Sequence, residues 1–241
     1  MYPRLIFSLC TNLPWRDLSN LSLVAREVDA PFHLRGFDCE VPMKLKLVQA
    51  GDPVLRQASR PVSADEINSA SMQQLIELMR ETMRDAPGVG LAAPQVGESL
   101  QLAVIEDRVE YMRDLSAGQL AERQRSPIEF HVLFNPTVSI VGDQSAEFFE
   151  GCLSITGYAA LVRRSARIRV DYLNEHAEPV TIEAQGWYAR ILQHEIDHLN
   201  GTLYVDRMET RSFTTTENLN RIWKNHPIQK VRSELGPDSE N

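Results

Sequence analysis

Gln193-His194-Glu195-Ile196-Asp197-His198-Leu199-Asn200-Gly201 is the stretch on which the reading of this 241-residue chain turns. His194 and His198 are four residues apart, so on an α-helix both imidazoles leave the same face and can share one metal ion. Glu195 lies beside the first of them, where a carboxylate can take a proton from water at the metal. Gly201 suits the left-handed position that closes such a helix, which is expected to run from about Gly186 to Asn200. A helix carrying two histidines needs at least one more protein ligand, and the rest of the chain is read for it.

Composition narrows the function classes. Apolar residues make up 43% of the chain, enough for a proper core, and the formal net charge is −8. That balance argues against nucleic-acid binding by phosphate neutralisation and against a basic membrane-surface protein. No apolar run approaches the roughly 20 residues that span a bilayer. Cys10, Cys39 and Cys152 are sparse and lack C-x-x-C spacing, which favours a reducing compartment over a disulfide framework. Residues 1–42 hold no sustained period and are broken by Pro3, Pro14, Pro31, Gly36 and Pro42, so a weakly ordered extension is expected there. The same segment mixes arginines with Asp17, Glu27, Asp29, Asp38 and Glu40, which makes a transit peptide the second reading. Met43 is a candidate natural start.

The folded domain is expected over residues 43–216, with a polar tail at 217–241 holding a short helix near Asn218 to Lys224 and an acidic end after Leu235. Lys44-Leu45-Lys46-Leu47-Val48 alternates and predicts a strand. Ser63 and Glu66 make a capping box leading towards a helix from about Ser71 to Asp85, whose stripe of Met72, Leu75, Ile76, Met79 and Met83 is read as core. Leu100 to Glu106 reads as a buried strand, and Asp107 to Ser126 as a helix or surface insertion. Residues 131–135 and 137–141 read as strand, turn, strand around Pro136. Ala160-Leu161-Val162, Ala166 to Tyr172 and Val180 to Ala184 read as further strands. Short strands before one late helix, without βαβ alternation, predict an α+β fold.

Two further stretches bear on chemistry. In Gly88-Val89-Gly90-Leu91-Ala92-Ala93-Pro94-Gln95, glycines let backbone approach a ligand and Gln95 offers an amide in an apolar setting. Read alone, this is a turn-rich loop. In Glu150-Gly151-Cys152-Leu153-Ser154, Cys152 is the best soft candidate to complete the histidine pair. Arg164 is a candidate partner for Glu150 that would brace the cysteine loop.

These three segments, in this order and spacing, resemble the signature motifs of peptide deformylase. The wording around them, including Ala86-Pro87-Gly88, Phe148-Phe149-Glu150 and Gly186-Trp187-Tyr188-Ala189-Arg190, is similar to the plant-organelle and mitochondrial-like branch, which also has bacterial members. The resemblance covers about Lys44 to Thr216. It implies small, largely antiparallel or mixed sheets around a central metal-binding helix, and a hydrolase that removes the formyl group from N-formylmethionine of new polypeptides. It implies Cys152, His194 and His198 as metal ligands, a metal-bound water as nucleophile, Glu195 as general base and acid, and the Gln95 amide and Leu153 N–H as oxyanion donors. It places Val89, Gly90, Glu150 and Ile191 along the substrate. The cofactor it implies is one divalent ion, Fe2+ first, with Zn2+, Ni2+ or Co2+ as alternatives. Its partners would be N-formylmethionyl nascent peptides, with the ribosome a candidate and neither a membrane nor a specific nucleic acid involved. The expected compartment is the bacterial cytoplasm, with mitochondrion or plastid as the alternative.

Two other functions compete. A zinc endopeptidase shares His-Glu-x-x-His but usually adds a third histidine or a carboxylate downstream, where Asp206 alone stands near. A closed structural metal site needs four protein ligands, and three stand at convincing spacing.

Overall fold

The computed structural model describes residues 44–235. The expectations for residues 1–42, for Met43 as a start and for the acidic end after Leu235 therefore lie outside the described residues.

In chain order the helices and strands are α1 (Ala64–Ile67), α2 (Ala70–Asp85), β1 (Gly90–Ala92), β2 (Leu102–Asp107), α3 (Ala117–Arg123), β3 (Ile128–Ile140), β4 (Ser145–Cys152), β5 (Ile155–Ser165), β6 (Arg167–Leu173), β7 (Pro179–Gln185), α4 (Gly186–Leu199), β8 (Thr214–Thr215), α5 (Thr216–Asn218) and α6 (Ile228–Leu235). The strands form a five-stranded sheet in the order β1-β2-β3-β6-β7 and a three-stranded sheet in the order β4-β5-β8. Every strand pairing in both sheets is antiparallel. The fold is α+β, as the strand and helix order predicts.

Alternation along β2 explains the layering. Leu102 and Val104 face one way and pack with Met72, Ile76, Met79 and Met83 of α2. Ile105 faces the other way and packs with Ala189, Ile191, Leu192 and Ile196 of α4. With period-2 side chains and a helix on each face, β2 is buried at all six positions. The methionines of α2 are core, as their stripe predicts. Helix α4 is thus held by packing along its length, which fixes the direction of its polar stripe.

Several local expectations need correcting. Lys44 to Val48 is not a strand. Its amides bond to separate partners, Leu45 N–H to Thr82 Oγ1 at 2.9 Å and Val48 N–H to the Gln95 carbonyl at 2.8 Å, while Leu45 and Leu47 pack on the α2 core. The Ser63–Glu66 box caps α1, and α2 has its own cap, Ser69, whose hydroxyl accepts from Met72 N–H. The expected turn at Asn135-Pro136 is instead a bulge within the single strand β3, where the register shifts between Phe134 and Thr137. Asn135 adopts a left-handed φ of 49° there, and its side-chain amide exchanges two 2.8 Å hydrogen bonds with the backbone of Val62. The helix expected at Asn218 to Lys224 is α5 running into a π-turn at Leu219–Trp223. Beyond it α6, which the sequence reading did not foresee, docks through buried Val231 and through Arg232 on Glu147 at 2.8 Å.

The insertion between β2 and β3 is pinned by charge. Asp107 is fully buried and takes a two-pronged hydrogen bond from Arg125, at 2.8 and 2.9 Å. The Arg125 guanidinium also lies over the Trp187 ring, 5.2 Å from its centroid. Arg125→Ala would strand a buried carboxylate and is expected to destabilise the protein by about 3–5 kcal/mol. Urea unfolding checks this, and a change below about 1 kcal/mol, the usual size for an exposed pair, would contradict it.

Candidate metal centre and active site

Helix α4 presents a polar stripe inside the core. Arg190, His194 and His198 recur every fourth residue, and Glu195 and Asp197 stand between or beside them. Arg190, His194 and Glu195 line a cavity of about 380 Å³ whose lining also includes Gly88, Val89, Gly90, Gln95, Glu150, Cys152, Leu153 and Ile191. Its volume falls in the usual range for ligand pockets.

The thiol and the two imidazoles converge. One donor atom each from Cys152, His194 and His198 lies within 4.8 Å of the others, the one such cluster found among the described residues. The two imidazole centroids are 5.0 Å apart, and Cys152 Sγ is 3.2 Å from His198 Nε2. His194 donates through Nδ1 to Glu150 at 3.0 Å, which leaves Nε2 for a metal. Burial, helped by the nearby His194, pushes His198 well below its ordinary pKa, so it stays the neutral imidazole that ligation requires. One soft thiolate with two imidazoles suits a first-row divalent ion, and three protein ligands leave a fourth position open. The residues present fit a catalytic metal.

Cys152 owes its place to a hairpin. It ends β4 at a bulge, where the register shifts between Gly151 and Cys152 and Cys152 falls opposite Ile155. Ser154 N–H and the Gln95 side-chain amide both approach its sulfur, at 3.4 and 3.5 Å.

Gln95 is buried at the end of the glycine-rich loop, within a short 3-10 turn over Ala93–Val96. Its Oε1 accepts from Ala92 N–H at 2.8 Å, which settles the amide orientation and turns the NH2 group towards Cys152. Leu153 follows the cysteine, and its carbonyl accepts from Gln49 Nε2 at 3.0 Å, anchoring the loop from a residue that sequence reading missed.

Glu195 is buried, and its Oε2 has no hydrogen-bond partner. Burial pushes its carboxyl up to about 7, against a smaller downward pull from His194. A carboxylate without an arginine is free to exchange a proton. Gly90 is what makes room for it, because a Cβ built there would lie 2.6 Å from Glu195 Cδ. Gly90→Ala is expected to lower kcat by about 10²-fold by displacing this carboxylate, with metal content unchanged. Steady-state kinetics with elemental analysis checks it, and unaltered kcat would show that Glu195 has slack.

Glu150 is a charged member of the cavity wall. Both its oxygens are taken, by Arg164 at 3.0 and 2.9 Å, by Arg190 at 2.6 Å and by His194 Nδ1. Burial opposes its charge, yet the hydrogen bonds from His194 and Arg164 outweigh that and hold the carboxyl below the usual range. It borders the cavity, but the geometry makes it a brace for His194. Arg164 reaches further, pairing also with Asp197, which takes two hydrogen bonds from Arg207 at 2.7 and 2.8 Å. The expected Glu150–Arg164 pair is present as part of this larger network. Arg190, Asp197 and Arg207 were missed as its members, although polar residues recurring on an otherwise apolar helix face were the available signal.

Val89, Gly90 and Ile191 all line the cavity. β1 is an edge strand of the five-stranded sheet and pairs only with β2, through Gly90 to Ile105 and Ala92 to Ala103. Its other edge pairs with no strand among the described residues.

Comparison with known proteins gives a consistent result. Residues 44–213 match the family model described as polypeptide deformylase. A tomato protein named peptide deformylase 1A, chloroplastic, is 46% identical over 173 residues, which is 72% of this chain and 62% of that relative's length. Peptide deformylase 3 of Streptomyces avermitilis is 45% identical over 192 residues, covering 80% of this chain and 84% of its own. Among solved structures, the Met-Ala-Ser-bound class I type b peptide deformylase from Acinetobacter baumannii superposes with a TM-score of 0.62 at 34% identity, over 69% of this chain and 99% of that one.

Proposed function

The chain belongs to the polypeptide deformylase family, enzymes that remove the N-formyl group from nascent peptides, and we propose that it does so with a divalent metal held by Cys152, His194 and His198. The observation that carries this reading is the convergence of those three ligands beside a buried, unpartnered Glu195 and an oriented Gln95 amide. When bound, the metal supplies Lewis acidity, polarising the formyl carbonyl and lowering the pKa of water.

The chain's own groups do the rest. The peptide lies as an added strand along β1, with Val89 and Gly90 backbone groups beside it and Ile191 walling the methionine side chain. Gln95 Nε2 and the Leu153 backbone N–H donate to the formyl oxygen as charge grows on it, each worth about 10²- to 10³-fold in rate. Glu195 takes a proton from the water that adds to the formyl carbon. It then gives that proton to the amine nitrogen as the C–N bond breaks, releasing formate and a free N-terminus.

Fe2+ is our first assignment for the metal, with Zn2+, Ni2+ and Co2+ as the alternatives that the same donor set accepts. We place the reaction in the bacterial cytoplasm, the organelle being the alternative, because relatives come from both sources. Among the described residues no helix is long and apolar enough to cross a membrane. The ribosome is a candidate partner, since the proposed substrates are nascent peptides. The test is the product from formyl-Met-Ala-Ser under anaerobic conditions, with the metal identified in the same preparation. Formate and Met-Ala-Ser are expected, and cleavage of an internal peptide bond without formate would overturn the reading in favour of an endopeptidase.

A further inference from the structure

We propose that Gln49, an exposed side chain outside the cavity, is a positioning residue for the reaction: it clasps the peptide unit after Leu153, so that the Leu153 N–H and the Gln95 amide are aimed together at the formyl oxygen. This rests on the deformylase reading above and adds one more residue to its oxyanion site.

Residues 44–50 belong to no helix or strand, yet three consecutive members direct their polar groups at the two loops that carry the oxyanion donors. Val48 N–H donates to the Gln95 carbonyl at 2.8 Å, and Ala50 N–H donates to the Ser154 carbonyl at 2.8 Å. Between them, Gln49 Nε2 donates to the Leu153 carbonyl at 3.0 Å, while its Oε1 accepts from the N–H and the hydroxyl of Thr156 at 3.4 and 3.1 Å. Both ends of the Gln49 amide are engaged, which settles its orientation. One short segment thus ties the glycine-rich loop to the turn between β4 and β5.

The clasped peptide unit has a second hold. Its oxygen belongs to Leu153 and its N–H to Ser154, and that N–H approaches Cys152 Sγ at 3.4 Å. Leu153 and Ser154 alone link Cys152 to Ile155, its opposite number at the hairpin bulge. Rotating the clasped unit therefore turns the one before it, whose N–H is the Leu153 donor. Gln95 is fixed from two sides, by Ala92 N–H on its Oε1 and by Val48 N–H on its carbonyl. The spacing of the two donors is set through Val48, Gln49 and Ala50.

Gln49 is exposed, and a surface hydrogen bond adds little to folding because water takes its place when it is lost. The transition state is less forgiving, since a group misplaced by about 1 Å can cost about 10²-fold in rate. A clasp on a donor and an anchor for the fold therefore differ in what their loss changes.

The experiment measures kcat and KM for formate release from formyl-Met-Ala-Ser with the metal-loaded full chain, together with metal content and the urea midpoint. Gln49→Ala is expected to lower kcat by about 10- to 100-fold, with KM, metal content and urea midpoint at their wild-type values. Gln49→Glu keeps the acceptor for Thr156 but has no proton for the Leu153 carbonyl, and should lose as much. Either variant with kcat within about twofold of wild type would overturn the clasp. So would a lowered kcat matched by lost metal or a lowered urea midpoint, which is what an anchor for the fold alone would give. If the wild type yields no formate, the deformylase reading falls and takes the clasp with it.

Discussion

Replacing Glu195 with Ala is expected to lower kcat for formate release by about 10²- to 10⁴-fold, the usual contribution of a positioned acid–base group, with metal content at the wild-type level. Other buried acids make poor tests of chemistry because they hold arginines. Glu150, Asp107 and Asp197 all sit in ion pairs, so their removal would disturb structure. Glu195 holds none, and its Oε2 is unpartnered. Truncation there leaves a small void beside Gly90 and strands no opposite charge. Glu195→Gln sharpens the point, since it retains the shape and cannot carry the proton. Either variant retaining activity within about tenfold of wild type would remove Glu195 from the mechanism.

Glu150→Gln should act differently, weakening metal binding by about 10- to 100-fold. The carboxylate holds His194 through Nδ1 and so fixes the ring's tautomer and direction. It also neutralises Arg164 and Arg190, both buried against it. An amide offers one acceptor where two guanidiniums and an imidazole now compete for two oxygens. Loss of one partner from such a buried network also destabilises the fold, by about 3–5 kcal/mol. Chelator competition reads the first effect and urea unfolding the second. A variant with wild-type metal affinity would mean that His194 is oriented by helix packing alone.

Much of the site was legible because its residues obey local rules. His194 and His198 share a face by helical spacing, and Gly201 closes the helix with a φ of +72° where glycine is at ease. Cys152 could be named only because the histidine pair demanded a further ligand; its approach depends on a hairpin bulge that no local pattern encodes. The Arg190–Glu150–Arg164–Asp197–Arg207 network joins β4, β5, α4 and the segment after it. Contacts between residues so far apart in the chain leave no periodic trace. Glu150 does line the cavity, but the two arginines that hold it were not legible for the same reason.

The fold was legible where burial is one-sided or complete. The α2 stripe and the β2 run identified themselves by period and by continuous apolarity. Lys44 to Val48 has the alternation of a strand but finds the Thr82 hydroxyl and the Gln95 carbonyl as partners instead of a neighbouring strand. Asn135-Pro136 carries turn chemistry, yet the Asn135 side chain satisfies Val62 and lets β3 continue. In both places tertiary partners overrode a correct local preference.

The central claim is that Cys152, His194 and His198 hold the metal on which deformylation depends. The most direct test is an anaerobic titration of metal-free protein with Fe2+, following formate release from formyl-Met-Ala-Ser against metal bound. Activity is predicted to rise in proportion to metal and to level off at one ion per chain, the stoichiometry of a single three-ligand centre. Formate released at full rate before any metal is added, or a plateau reached with no metal bound, would contradict it.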